Sequence, residues 1–193
     1  MRVAGVMLAG GKSSRMGRTK ALVEIDGRPM GRRVLDALRS TGCDPVFAYG
    51  GDADELAPLG VRVEPDRHPG EGPVGAVAGL LGLISERDAQ RAHDETPVDG
   101  AVVVACDLPD LDDTVVRALI DAAQRQPGAV AVARTERIEP LCAYWPIGVG
   151  AQVASAFDAG TRAAHRLLDD LHVVVVDVAP GALRNVNAPS DLD

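Results

Sequence analysis

Apolar residues in this chain fall in short runs of four to eight, separated by glycine, proline and charge. Val3–Leu8 is such a run, with the unbroken hydrophobicity of a central strand buried on both faces. Pro29 can open a helix that continues to Gly42, since Met30, Val34, Leu35 and Leu38 then share one face and Arg32, Arg33, Asp36 and Arg39 the other. The Arg32-Arg33 pair reads as a solvated helix face. Pro45–Tyr49 and Val61–Glu64 are short strand candidates, joined by a weak helix over Asp52–Leu59. Ala76–Ile84 is apolar almost all round and predicts a buried helix, whereas Glu86–Asp99 is charged, aperiodic and interrupted by Pro97, the pattern of a mobile loop.

Gly100 introduces the clearest strand, Ala101–Cys106, which runs into Asp107-Leu108-Pro109 and a helix over Asp113–Arg125. Ala129–Ala133, Leu141–Trp145 and His172–Val178 are further strands, and Gly148–Leu171 holds two helical segments broken near Gly160. With no repeat and no linker, residues 1–193 read as a single domain. Strands that alternate with helices imply an α/β architecture with a mostly parallel sheet. Ligands of such sheets bind beyond the carboxyl ends of the strands, where the strand order switches. Leu8 running into glycines and Cys106 running into Asp107 are the two strand ends that carry chemistry, so they should flank the site.

Composition narrows the classes. A chain of 193 residues, 46% of them hydrophobic, can bury a substantial core. No stretch of ~18 apolar residues offers a membrane span, and the N-terminal run passes directly into Gly10-Gly11-Lys12, which fits a strand better than a signal peptide. The net charge of −8 opposes general affinity for nucleic acid or anionic membrane. Cys43, Cys106 and Cys142 are widely spaced, odd in number and embedded in apolar sequence, which predicts buried, reduced thiols in a cytoplasmic protein. Against the acidic background, Lys12, Arg15, Arg18 and Lys20 fall within nine positions that contain no acid. That local concentration of positive charge is the first sign of a phosphate site.

The segment reads Leu8-Ala9-Gly10-Gly11-Lys12-Ser13-Ser14-Arg15-Met16-Gly17-Arg18-Thr19-Lys20. Adjacent glycines allow a ligand close to the backbone, and consecutive N–H groups can cradle phosphate oxygens. It is not a Walker A loop, which would need glycine where Val6 stands, and no frame fits a GxGxxG fingerprint.

Over its whole length the segment resembles the opening signature LA(G/A)GxSxRMGxxK of nucleotidyltransferases with a nucleotide-diphospho-sugar-transferase fold. Gly10 makes it similar to the molybdenum cofactor guanylyltransferase branch, the MobA type, which attaches GMP to molybdopterin. Val63-Glu64-Pro65-Asp66 followed by Gly72-Pro73-Val74-Gly75-Ala76 resembles the acidic residue and GPLAG segment that hold the nucleoside. Ala105-Cys106-Asp107-Leu108-Pro109 is similar to the C-D-x-P metal segment, Glu139-Pro140-Leu141 to the H/E-P-L turn, and Asn185-Val186-Asn187-Ala188-Pro189 to N-V-N-T-P. Two positions depart from the pattern: Thr19 stands where the branch usually has Asp, and Ala76 replaces the second glycine of GPLAG.

The resemblance implies a Rossmann-like three-layer sandwich, Mg²⁺ as cofactor, GTP and molybdopterin or molybdenum cofactor as substrates, and contacts with other molybdenum cofactor proteins. It implies no nucleic acid or membrane partner. It assigns nucleotide contacts to Leu8, Ala9, Gly10, Gly11, Lys20, Asp66 and Asp107, and catalysis to Arg15, Lys20 and Asp107. The chemistry agrees: transfer from a nucleoside triphosphate to an already ionised phosphate needs alignment and charge neutralisation, not a general base. The four histidines, His68, His93, His165 and His172, accordingly form no cluster and read as surface or structural. Asp107 suits a hard cation, with a helix N-cap as the other reading. Lys20 and Arg15 suit phosphate oxygens, while Lys12 and Arg18 are either their helpers or solvated neighbours. Asp66 meets ribose hydroxyls, guanine N–H groups or solvent. Arg162 binds the acceptor phosphate or is an exposed helix arginine. Asn185 and Asn187 contact metal or pterin, or serve the turn before Pro189. A cytidylyltransferase for the same cofactor, a sugar-1-phosphate nucleotidyltransferase and a non-catalytic nucleotide- or pterin-binding module are the competing readings.

Overall fold

The computed structural model describes residues 1–10, 19–91 and 96–186. In chain order they form β1 (Val3–Leu8), a 3-10 turn (Lys20–Leu22), β2 (Glu24–Ile25), β3 (Arg28–Pro29), α1 (Met30–Ser40), β4 (Val46–Tyr49), α2 (Ala53–Leu56), β5 (Val63–Glu64) and α3 (Gly72–Ala89). β6 (Gly100–Ala105), α4 (Asp113–Arg125), β7 (Val130–Arg134), β8 (Ile138–Pro146), α5 (Gly150–Asp158), α6 (Ala164–Asp169) and β9 (Val173–Asp177) follow.

Among the described residues the main sheet has seven strands in the order β5-β4-β1-β6-β8-β7-β9. β5, β4, β1 and β6 are mutually parallel, as are β7 and β9, and β8 runs against both of its neighbours. The sheet is therefore mostly parallel, with helices on both faces. Strand side chains alternate between two cores. Val3 and Met7 of β1 join Val102 and Val104 of β6 against α1 and α4, while Ala4, Val6 and Leu8 join Ala101 and Val103 against α3, α5 and α6. This three-layer α/β sandwich puts both faces of the central strands in apolar surroundings, which is why those strands read as continuous hydrophobic runs.

From β1 the chain builds outward to β4 and β5, then returns to lay β6 on the other side of β1. The switch in strand order thus lies between β1 and β6, where Leu8 is in register with Ala105.

Two expectations are corrected, and one element is added. The mobile loop expected over Glu86–Asp99 is, in its first part, the end of α3, which runs to Ala89. Its charges are partners: Glu86 receives a forked pair of hydrogen bonds from Arg67 at 2.7 and 2.6 Å, and Asp88 accepts the Val98 N–H at 2.9 Å. The Arg32-Arg33 pair is not simply solvated, because Arg32 donates to the Leu59 carbonyl at 2.9 Å and Arg33 to that of Ile25 at 2.7 Å. Finally, the hairpin of β2 and β3 was not anticipated; Asp26 and Gly27 form its two-residue turn at φ 52° and 72°.

The strand and segment that lead to Asp66 are pinned along α3. Glu64, 8% exposed, is the buried charged residue among those described, and it meets Arg62 and Arg87 at 2.5 Å each. Burial alone would raise its pKa, but the Arg87 hydrogen bond and the two positive charges hold it below the ordinary glutamate value of 4.5. A carboxylate with a depressed folded-state pKa adds stability above its unfolded pKa, and loses it as pH falls through the folded value. Glu64→Gln should therefore lower the melting temperature at neutral pH, and its deficit against the parent chain should shrink as pH drops below about 4.5. A deficit that stays constant down to acid unfolding would show that the charge of Glu64 is not what stabilises this segment.

Candidate active site

Four strand ends are tied together at the switch point. The Ala9 N–H donates to the Tyr49 carbonyl at 3.0 Å, the Gly50 N–H to that of Glu64 at 2.8 Å, and the Cys106 N–H to that of Leu8 at 3.1 Å. Gly50, at φ +76°, lies so close to the turn that a Cβ there would come within 3.0 Å of the Gly10 backbone. Only glycine meets both the conformation and the spacing. The loop that follows, with Gly11, Lys12, Arg15 and Arg18, lies outside the described residues, so the expectations for Gly11 and Arg15 remain proposals.

Lys20 opens the 3-10 turn on the far side of that loop. Its neighbours hold it from both directions: the Thr19 hydroxyl hydrogen-bonds the Glu55 carboxylate, and Ala21 packs where α1 has Gly31, so tightly that a Cβ on Gly31 would stand 2.9 Å from the Ala21 carbonyl. Val23 and Met30 then enclose Val186 in a small apolar cluster. The hairpin and the segment leading to Val186 thereby back the turn that carries Lys20.

Asp107 leaves the end of β6 and meets the Lys20 ammonium at 3.0 Å through Oδ2. The two side chains are 15% and 21% exposed, respectively. Oδ1 is buried and has no hydrogen-bond partner among the described residues. The N-cap reading of Asp107 falls away, because Asp112 caps α4 by accepting from the N–H groups of Thr114 and Val115 at 3.0 and 3.1 Å. The Val186 N–H donates to the Asp107 carbonyl at 3.0 Å, and Arg184 pairs with Asp110 at 2.6 Å. Asn185 is thus held next to Asp107, whereas Asn187 is outside the described residues. Cys106 beside them is a packing thiol, its pKa pushed up to about 12 by burial first and by the Asp107 charge second. All three cysteines are buried and free, as the sequence predicts.

A cavity of about 550 Å³ opens over this junction, within the range of small-molecule sites. Leu8, Ala9 and Gly10 line it together with Lys20 and Asp107, and Tyr49, Asp66, Gly70, Gly72, Pro73 and Ala76 form the wall toward α3. Asp66 accepts the His68 N–H through Oδ1 at 2.9 Å. A Cβ on Gly10 would stand 3.7 Å from Asp66 Oδ2, in ordinary van der Waals contact, so the first glycine lies beside that carboxylate. Ala76, which replaces the second glycine of the GPLAG segment, is among the lining residues.

Arg162 is not among the cavity's lining residues. It lies between α5 and α6, pairs with Glu71 at 3.0 Å, donates to the Phe157 carbonyl at 2.7 Å and stacks 4.1 Å over the Phe157 ring, which also contacts His68. Sequence reasoning missed Tyr49 altogether, taking it only as the end of a strand. The available signal was an aromatic hydroxyl at the carboxyl end of a parallel strand, directly before Gly50-Gly51.

Among the described residues no group of three or more His, Cys, Asp or Glu side chains could by itself hold a metal. A hard cation bound through one carboxylate and the phosphates of a ligand needs no such group, and Asp107 Oδ1, which has no hydrogen-bond partner among the described residues, could offer one carboxylate oxygen of that kind. No helix among the described residues is long and apolar enough to cross a membrane.

A glycine turn, a lysine and a half-paired aspartate at the switch point of a mostly parallel sheet define a nucleotide-binding α/β protein equipped for phosphate chemistry. The chain belongs to the MobA-like NTP transferase family, whose model matches residues 5–175. A molybdenum cofactor guanylyltransferase of Rhodobacter capsulatus is 33% identical over 192 residues, an alignment spanning 100% of this chain and 94% of the relative. The crystal structure of molybdopterin-guanine dinucleotide biosynthesis protein A from Archaeoglobus fulgidus superposes with a TM-score of 0.75 at 22% identity, covering 100% of this chain and 95% of that one. A Mycobacterium tuberculosis protein solved as a complex with manganese has the same fold, with a TM-score of 0.64 at 17% identity over 99% and 96% of the two chains.

The packing of the two glycines separates their roles. Gly50→Ala should cost about 1–3 kcal/mol of stability, since alanine is strained at this φ and presses on the turn. Gly10→Ala, whose Cβ meets nothing nearer than 3.7 Å, should leave stability nearly unchanged. Equal melting temperatures for the two variants would contradict the close approach of the two loops.

Proposed function

We propose that this chain transfers GMP from GTP to the terminal phosphate of molybdopterin or molybdenum cofactor, releasing pyrophosphate, with residues 1–193 acting as one nucleotidyltransferase domain. The observation that carries the reading is the Lys20–Asp107 pair at the switch point, with Asp107 Oδ1 buried and bare. The R. capsulatus relative, which carries the name of this activity over the full length of the chain, supports it.

In the reaction, an oxygen of the acceptor phosphate forms a bond to the α-phosphorus of GTP, and the α–β bridging bond breaks as pyrophosphate leaves. The acceptor is already an anion, so no proton has to be removed, and among the described residues no histidine lines the cavity. Lys20, and Arg15 in the basic loop, supply positive charge to the phosphate oxygens. Asp107 would hold Mg²⁺, the metal assigned here within a family that typically requires a divalent ion. When bound, Mg²⁺ neutralises charge on the triphosphate and on departing pyrophosphate. Ala9 and Gly10 offer backbone groups to the base, and Asp66 an anionic acceptor to the guanine N–H groups or the ribose hydroxyls. Asn185, beside Asp107, and Asn187 are proposed contacts of the metal or the pterin. Arg162 is a proposed acceptor-phosphate contact that would have to leave Glu71 to serve. Three buried, reduced thiols support a cytoplasmic setting, where molybdenum cofactor proteins are the partners to expect.

Base preference decides between this reading and cytidylyl transfer. A site built to hydrogen-bond one base edge rejects another because its own polar groups would be left unpaired. Pyrophosphate release measured with each of the four nucleoside triphosphates, with and without molybdopterin, should show kcat/KM for GTP exceeding that for CTP by about 10²-fold or more. Gly10→Ala should narrow the gap by placing a methyl beside Asp66. Equal or better use of CTP would defeat the guanylyl assignment and leave nucleotidyl transfer standing. Tight nucleotide binding with no pyrophosphate release would favour a binding module instead.

A further inference from the structure

Asp66 sits in a short irregular segment after β5, yet its carboxylate is aimed into the cavity. Such a segment needs something to hold it. On one side, α3 carries Gly75 and Gly79, spaced four apart on one helix face, and the segment lies against that face. A Cβ on Gly75 would come within 3.1 Å of His68 Cβ, and one on Gly79 would stand 3.0 Å from Arg67 Cβ and collide with the Tyr49 hydroxyl. On the other side is Tyr49 itself, 1% exposed, whose hydroxyl accepts the Arg67 N–H at 3.0 Å. A phenol that accepts one hydrogen bond still has its own proton to donate. Burial first, and then the nearby Asp66 charge, raise the pKa of this phenol, so it stays protonated.

We propose that Tyr49 is a positioning residue for nucleoside recognition, fixing the turn from Asp66 to His68 so that Asp66 Oδ2 faces ligand donors in the cavity. The inference rests on the reading of this cavity as the nucleotide site, and it adds the residue that sets the aim of its acidic contact. The Asp66 carboxylate is then preorganised: Oδ1 accepts the His68 N–H, Tyr49 holds the following amide and interacts with the carboxylate itself, and Oδ2 lies beside Gly10 at the cavity. Nucleoside groups with hydrogens to donate, ribose hydroxyls or the N–H groups of guanine, are the chemistry this oxygen accepts. Because the nucleoside is remote from the bond that breaks, Tyr49 governs nucleotide affinity more than the chemical step.

The test is a double-mutant cycle on the full chain, with Tyr49→Phe and Asp66→Asn, read by calorimetric binding of GTP and by steady-state kinetics. Tyr49→Phe keeps the buried ring and should retain a parent-like thermal transition. It should weaken GTP binding roughly 10-fold, the scale of a hydrogen bond involving a charged group, and raise KM with kcat changed little. In the Asp66→Asn background the same change should have almost no further effect, because both act through one carboxylate. Fully additive losses would mean that Tyr49 only supports the fold and would overturn the proposal, as would unchanged GTP binding by Tyr49→Phe. If the parent chain binds CTP in place of GTP, the guanylyl reading fails separately and the cycle is read with CTP, where additivity again overturns the role of Tyr49. If it binds no nucleoside triphosphate, both fall.

Discussion

The molecule depends most on the ion pair between Lys20 and Asp107, two residues 87 positions apart in sequence and both largely removed from water. Desolvating two charges costs several kcal/mol per ion, and their attraction compensates only where the remaining hydrogen-bonding positions are filled. Here one position is left open, since Asp107 Oδ1 has no partner among the described residues. An apolar pair would suit stability as well or better. The arrangement fits the proposed function, in which a cation and phosphate oxygens would satisfy what the protein alone leaves unsatisfied.

The rest of the fold serves to bring those two groups together without letting them move. β1 and β6 are locked in register from Val3 with Gly100 to Leu8 with Ala105, so the glycine turn and Asp107 leave adjacent strands side by side. Lys20 reaches the same place from the other end of the basic loop, because Thr19, Ala21 and Val23 are each anchored on a different partner. The segment leading to Val186 is joined to Asp107 by a main-chain hydrogen bond. Opposite them, α3 and its ion pairs with Glu64 and Arg67 fix the wall that carries Asp66. On the proposed reading, the cavity has its phosphate side on β1, β6 and the Lys20 turn, and its nucleoside side on β4, β5 and α3.

The sequence made the frame and the phosphate side legible. Val3–Leu8 and the run ending at Ala105 are unbroken apolar stretches because both faces of a central strand are covered, and α4 begins at Asp113 behind its cap, Asp112, as its pattern required. Asp107 and Lys20 were readable from the glycine-rich signature and the C-D-x-P segment. The failures share a cause: side chains whose partners are distant in sequence. Glu86, Arg87 and Asp88 looked like solvated loop charge, but each bonds a group contributed by another element or by the chain beyond the helix. Arg32 and Arg33 looked free, but they cap carbonyls of Leu59 and Ile25. The β2–β3 hairpin has only two residues per strand, too few for any period to register. Tyr49 was silent because its role depends on an amide 18 positions away and on the absence of a side chain at Gly79.

The central claim is that Asp107 is the protein's cation ligand and that it binds the ion together with nucleotide. Manganese binding, followed by electron paramagnetic resonance as loss of the free-ion signal, tests this directly in the presence of a non-hydrolysable GTP analogue. The parent chain should take up one ion that depends on the nucleotide. Asp107→Asn should weaken that uptake ~10-fold or more, since even losing a residue that merely orients a metal ligand costs on this order, while its thermal transition shows the fold retained. Uptake by Asp107→Asn equal to that of the parent chain would contradict the account.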